Sequence, residues 1–141
     1  MSALAKVTFR LHGQLVTIGE ELARAAGITG ASWQVLAAVL RTPLSVADVA
    51  REIGVTRQSV QRVADVLVGQ GLATYQPNPA HRRAKLLAPT QAGRDAIRRI
   101  APAHATLASQ LAAELGVSTM EDALARVRRL SEALAALQVN R

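Results

Sequence analysis

The chain has 141 residues, half of them apolar, carries a formal charge of +7 from 17 Lys and Arg against 10 Asp and Glu, and contains no cysteine. That length suits one domain with a modest core, and the lack of cysteine excludes disulfides, thiolate zinc sites and thiol redox sensing. The longest uncharged run, Ala25 to Leu40, is broken by Gly27, Thr29, Gly30, Ser32 and Gln34, so neither a membrane span nor an export signal is expected and the protein is placed in the cytoplasm.

From residue 4 to 25 the apolar residues Leu4, Leu11, Leu15, Ile18, Leu22 and Ala25 recur mostly at alternating four and three. That spacing predicts a helix with one seam turned to a partner helix. A second helix is expected between Thr29 and Leu40, with Trp33, Leu36, Ala37 and Leu40 on one face. His12 on the first helix and Trp33 on the second are candidate contacts for a small ligand wedged between helical regions.

Two short helices follow. Val46, Val49, Ala50 and Ile53 fall at i, i+3, i+4 and i+7, and Val60, Val63, Ala64 and Leu67 repeat the pattern, so each helix has one buried stripe. Ser45 with Asp48 three residues on is a start signal for the first, since the hydroxyl can accept an orphan amide and the carboxylate favours the positive helix end. Gly54 ends that helix at low steric cost. Thr56 then caps the second, and Arg57, Gln58, Gln61 and Arg62 turn away from its stripe, presenting guanidinium and amide groups suited to phosphates and base edges.

After Gly69-Gln70-Gly71, residues 72–75 and 85–88 can pair as a small antiparallel ribbon around a loop with Pro77 and Pro79, followed by His81-Arg82-Arg83. A stiff arm ending in arginines suits a phosphate backbone or a narrow minor groove. Thr90 starts a long helix through Ile97, Ile100, Leu107 and Leu111 to Leu115, closed by Gly116, with Pro102 bending or breaking it. Ser118 with Glu121 reads as a capping box opening a last helix that carries Leu124, Val127, Leu130, Leu134 and Leu137. Such leucine-bearing helices exceed what a small lobe can cover, which favours a homodimer interface.

The window from Gly54 to Lys85 holds Arg57, Arg62, Arg82, Arg83 and Lys85 against Asp65 alone, a net +4 of the chain's +7. Clustered positive charge favours a polyanionic partner, with affinity falling steeply as salt rises. Phe9, Trp33 and Tyr75 are the only aromatics, too few for a platform that stacks single-stranded bases. Duplex DNA is therefore the expected partner.

No Walker loop, nucleophile elbow or paired-histidine metal motif is present. Gly69-Gln70-Gly71 begins a dinucleotide-like pattern, but Thr74 stands where its third glycine belongs and the segment leads into a strand. His12, His81 and His104 are far apart in sequence, so no metal, no cofactor and no enzymatic activity are expected.

The succession Gly27-Ile28-Thr29, Trp33-Gln34-Val35-Leu36, Val49-Ala50, Gly54-Val55-Thr56-Arg57-Gln58-Ser59-Val60, Gly71-Leu72, Asn78-Pro79 with Arg82-Arg83, and Thr90-Gln91-Ala92-Gly93-Arg94 resembles the MarR family of winged-helix regulators. The resemblance runs from about Gly27 to Arg94. It implies a mainly α fold with a small β-ribbon. Residues 1–141 would form a single domain, with 29–89 as the winged helix-turn-helix lobe and 4–25 with 90–138 as a helical dimerisation region. It further implies a homodimer on a pseudopalindromic operator, often released by a small-molecule effector. Ser45, Thr56, Arg57, Gln58, Ser59, Gln61, Arg62, His81, Arg82 and Arg83 are then the expected DNA-binding residues of a transcriptional regulator, most simply a repressor. A winged-helix adaptor that binds protein rather than specific DNA is the alternative, separable by salt titration and sequence competition. Two positions depart from the family pattern. His81 stands where many members carry an acid that braces the wing arginine, and Pro89 where a leucine is expected before the threonine.

Overall fold

The caps foreseen in the sequence set most of the helix boundaries in the computed structural model, which describes residues 2–139; Met1, Asn140 and Arg141, included in the single-domain reading of 1–141, lie outside the described residues. The order is α1 (Ala3–Arg24), α2 (Gly30–Ala38), β1 (Leu44–Ser45), α3 (Val46–Ile53), α4 (Arg57–Gly69), β2 (Ala73–Gln76), β3 (Leu86–Pro89), α5 (Gln91–Leu115) and α6 (Val117–Val139). The expected fold class forms: mainly helical, with a helix-turn-helix and a small antiparallel sheet. By its contacts the chain divides into two compact units, Met1–Pro102 and Ala103–Arg141.

In the first unit, Ser45 accepts a hydrogen bond from the Asp48 amide at 3.2 Å and donates its own proton to Asp48 Oδ2 at 2.8 Å, opening α3 as expected. Gly54 closes α3 at φ 74°, a left-handed conformation that glycine adopts without a Cβ penalty. The Thr56 hydroxyl accepts from the Ser59 amide at 3.1 Å and starts α4. The core is shared by Val35 and Leu36 of α2 with Val39 at its C-cap, Val49 and Ala50 of α3, Val60, Ala64 and Leu67 of α4, and Ala73 and Leu87 of the sheet. Full burial of each leucine here contributes roughly 1.5–3 kcal/mol. The two amphipathic stripes thus close on α2, whose buried residues are Gly30, Ser32, Val35 and Leu36, continued by Val39 at its C-cap. The expected α2 face is rotated: Leu36 lies on the buried side, but Ala37 is exposed and Trp33 and Leu40 are half-buried. The short helix is apolar nearly all round, so tertiary packing chose the face.

The sheet has three strands rather than two, in the order β1-β3-β2, all antiparallel. β1 is two residues, too short to show any periodicity. β2 and β3 each begin one residue later than expected; for β2 the Leu72 amide instead donates to Leu67 O at 2.9 Å and closes α4. Pro89 ends β3 opposite Ala73, beyond the part of the strand that pairs with β1, so its missing N–H breaks no second ladder. Thr90 then fastens the junction: its amide donates to Leu72 O at 3.1 Å, its hydroxyl donates to Gly71 O at 2.6 Å and accepts from the Gly93 amide at 3.2 Å. Pro89 is accommodated by that clasp.

α5 continues through Pro102 without interruption, and the division into two units falls immediately after it. In the second unit Gly116, at φ 85°, donates to Ala112 O at 2.8 Å and accepts from the Met120 amide at 3.2 Å. One residue therefore closes α5 and opens α6. Ser118 lies inside α6 rather than at its cap, which corrects the capping box expected at Ser118 and Glu121. No residue of α6 is buried, and Leu124, Val127, Leu134 and Leu137 are exposed.

Candidate nucleic-acid interface

α4 carries the cationic and amide side chains because its buried stripe, Val60, Ala64 and Leu67, takes the opposite side. Thr56, Arg57, Gln58, Gln61 and Arg62 are exposed, and Ser59 is half-buried. The Thr56 hydroxyl also donates to Ser59 Oγ at 2.9 Å, which leaves the Ser59 proton as the hydroxyl donor at this helix end. The positive end of the α4 dipole lies at the same place.

The exposed side chains divide between two flanks. Arg57 and Gln61, one turn apart, line a groove of about 440 Å³ together with Ser45, Val46, Ala47, Tyr75, His81, Arg83, Ala84 and Lys85. Arg62 lines a different cleft, of about 510 Å³, with Arg24, Ile28, Thr29, Ser32, Val63, Val66 and Gln70. The face expected to be shared is therefore split, with Arg62 turned away from the wing. Four groups that are basic or can become so meet in the first groove: Arg57, His81, Arg83 and Lys85. Arg82 is exposed on the wing outside that lining.

The wing loop is held by its own backbone. The Ala80 amide donates to Asn78 Oδ1 at 3.0 Å and the His81 amide to Asn78 O at 3.2 Å, so Asn78-Pro79 form a turn that needs no ion pair. Among the described residues the ion pairs are Asp48–Arg51 and Asp95–Arg98, neither of them in the wing. With His81 in place of an acid, the wing arginines face outward with their charge uncompensated.

Ser45 lines the groove, but its hydroxyl is already occupied. The residue is 7% exposed, and its hydroxyl both donates to and accepts from Asp48. Its side chain is committed to capping α3. His12 and Trp33 are not brought together. Trp33 lines a cleft of about 230 Å³ between α1 and α2 with Leu15, Val16, Gly19, Glu20 and Gln34, whereas His12 is exposed on α1 and outside that lining.

Sequence reasoning missed three participants. Lys85 counted only as charge, but it completes the groove. Tyr75 and Asp65 form a triangle with Gln61: the Gln61 amide nitrogen donates to Asp65 Oδ1 at 3.0 Å and to the Tyr75 hydroxyl at 2.9 Å, and that hydroxyl donates to Asp65 Oδ1 at 2.6 Å. Asp65 sits one turn after Gln61, a signal that was available; Tyr75 reaches them only because β2 runs beside α4. Burial pushes the Tyr75 hydroxyl up to about 12, helped by its hydrogen bond to Asp65 and by that carboxylate's charge. Tyr75 therefore stays protonated and donating into the alkaline range where an ordinary tyrosine ionises.

Among the described residues no His, Asp or Glu cluster could hold a metal ion, and no helix is long and apolar enough to cross a membrane.

A helix-turn-helix completed by a β wing places the molecule in the winged-helix class. A sequence profile of the MarR family matches residues 26–84. Over 136 residues the chain is 38% identical to an uncharacterized protein of Mycobacterium tuberculosis, spanning 96% of this chain and 95% of that one, and equally to a counterpart in Mycobacterium bovis. Among solved structures, the transcriptional regulator SlyA superposes with a TM-score of 0.82 at 15% identity, over 96% of each chain. The repressor CouR, bound to a 23-mer DNA duplex, gives 0.79 at 22% identity over 91% of this chain and 92% of that one. The M. tuberculosis regulator MosR in complex with DNA gives 0.75 at 23% identity over 94% and 98%. The chain belongs to the MarR family of winged-helix transcription regulators.

Proposed function

We propose that the protein is a dimeric, cytoplasmic, sequence-specific repressor that reads a pseudopalindromic operator, and that it is not an enzyme. The observation that carries this reading is the groove between α4 and the wing, where Arg57, Gln61, His81, Arg83 and Lys85 converge on one open surface. In the proposal Arg57, Gln58 and Gln61 contact base edges in the major groove and Thr56 and Ser59 contact phosphate. Arg62 takes phosphate on the far flank of the helix. His81, Arg82 and Arg83 hold the wing on the backbone or in the minor groove. Ser45 serves the site indirectly, by fixing the start of α3.

The second copy is argued from uncovered apolar surface. Leu4, Val7, Leu11 and Leu15 of α1 and Leu124, Val127, Leu134 and Leu137 of α6 are all exposed in the single chain. That much leucine and valine in water is costly, and residues 4–25 and 90–138 would bury it as the dimerisation region. A twofold axis then sets two copies of α4 into successive major grooves, with half-sites about ten base pairs apart. The relative BpsR of Bordetella bronchiseptica has its DNA binding regulated by 6-hydroxynicotinic acid. For this chain a small-molecule effector would act in the Trp33-lined cleft between α1 and α2 and alter the spacing of the lobes.

Selection from random duplex DNA with the purified protein tests the reading. The expected result is a two-part motif with that spacing, bound with steep salt dependence. Recovery of no motif, with salt-sensitive binding to acidic protein instead, supports the adaptor alternative.

A further inference from the structure

The triangle of Gln61, Asp65 and Tyr75 has a chemical polarity that a free glutamine lacks. A carboxylate only accepts, so the atom of Gln61 at 3.0 Å from Asp65 Oδ1 must be the amide nitrogen. The Tyr75 proton goes to the same oxygen at 2.6 Å, leaving the phenol's lone pairs to receive the Gln61 N–H at 2.9 Å. Turning the Gln61 amide over would set its carbonyl oxygen against the Asp65 carboxylate, two acceptors in contact, and give up both N–H hydrogen bonds. The amide therefore has one orientation, with nitrogen toward the protein and Oε1 as its uncommitted acceptor.

We infer that Gln61 is a specificity-determining residue preset as an acceptor, recognising an exocyclic amine in the major groove, adenine N6 or cytosine N4, with Asp65 and Tyr75 as its positioning residues. This rests on the DNA-reading function proposed above. In the major groove adenine and cytosine present a donor where thymine and guanine present the O4 or O6 acceptor. A freely rotating glutamine satisfies either by turning over. A pinned one meets the keto bases with acceptor against acceptor, so the clamp converts an ambivalent side chain into one that separates A or C from G or T on the contacted strand. Gln61 lies in the groove lining beside Arg57, on the flank nearest the wing.

The test compares motifs selected from random duplex DNA by the full-length wild-type chain and by Gln61→Ala, Tyr75→Phe and Asp65→Asn. The wild-type motif is expected to hold one position per half-site restricted to A or C, and Gln61→Ala to make that position indifferent. Tyr75→Phe is expected to lower the amine-over-keto preference there by about 10-fold, the scale of one good base contact. Asp65→Asn, whose side chain accepts either amide orientation and leaves the tyrosine ring in place, is expected to act in the same direction. Affinity of Tyr75→Phe for random-sequence duplex should not move, which a purely structural role for the triangle would not give. A Gln61-dependent position that prefers G or T, or one that keeps its preference in both clamp variants, overturns this inference alone. A wild-type chain that selects no motif overturns it together with the reading beneath it.

Discussion

Tyr75 is the only tyrosine of the chain, so its ionisation is readable in isolation from ultraviolet tyrosinate absorbance. Its pKa is raised from 10.0 to about 12, by burial first and by Asp65 second. The sign follows: the folded state prefers the protonated phenol, so this contribution to stability is complete below pH 10 and is lost as pH rises toward 12. The expected titration shows little tyrosinate in the folded protein just above pH 10, and Asp65→Asn should lower the midpoint toward, but not to, the ordinary value. A wild-type midpoint at 10 would show that the hydroxyl is not held by Asp65. Arginines separate differently. If Arg57 makes a bidentate guanine contact, Arg57→Ala should cost about 1–3 kcal/mol on the cognate operator and relax preference at one position. Arg83→Ala should weaken cognate and random DNA alike and flatten the salt slope by about one. Fluorescence anisotropy across a salt series reads both. The arginines and Gln61 were legible from i, i+4 spacing and polarity; Tyr75 was not, because the register linking Tyr75 with Leu87 is a strand-pairing fact with no local code.

Among the elements, the junction where β3 passes into α5 is the least tolerant. A Cβ on Gly93 would lie 2.0 Å from Leu72 O and 3.1 Å from Leu72 C, main-chain atoms already fixed by the Thr90 clasp. Gly to Ala inside an exposed helix is ordinarily favourable by up to about 1 kcal/mol. Here Gly93→Ala is expected to reverse that sign and destabilise by about 1–3 kcal/mol, lowering the thermal midpoint by several degrees in calorimetry. An unchanged or raised midpoint would mean that α5 can lift off Leu72 without cost. Helix ends were readable wherever a side chain or a glycine marks them, as at Ser45, Gly54 and Thr56. They were misread at Ser118, because Gly116 supplies both the stop of α5 and the first acceptor of α6. β1 escaped notice for a related reason: two residues carry no period, and Leu44–Ser45 become a strand only by lying beside Leu86 and Leu87.

At the scale of the whole molecule, the second unit is the incomplete one. α6 is 23 residues long and buries none of them, which for a helix with this leucine content calls for a partner surface. In the proposed dimer, Leu134→Glu should therefore lower the sedimenting mass toward the 14.9 kDa of one chain. Operator affinity should then fall to that of a single half-site, while nonspecific binding per lobe persists. A variant that remains dimeric and fully active would place the interface elsewhere. Loss of half-site cooperativity without loss of lobe stability is the pattern that distinguishes an interface residue from a core residue.

By itself the sequence determined the helix-turn-helix, the wing and the concentration of positive charge between Gly54 and Lys85. Each is written in local terms: apolar period, capping residue, turn chemistry and charge count. Tertiary structure alone decided which outward side chains share a groove. It put Arg57 and Gln61 with the wing and Arg62 with Arg24, rotated the α2 face, and brought Tyr75 to Asp65. The physical reason is that helix periodicity fixes only the angle at which a side chain leaves its own axis. What it meets there depends on the strand or helix packed alongside, and those neighbours are set by long-range pairing and burial.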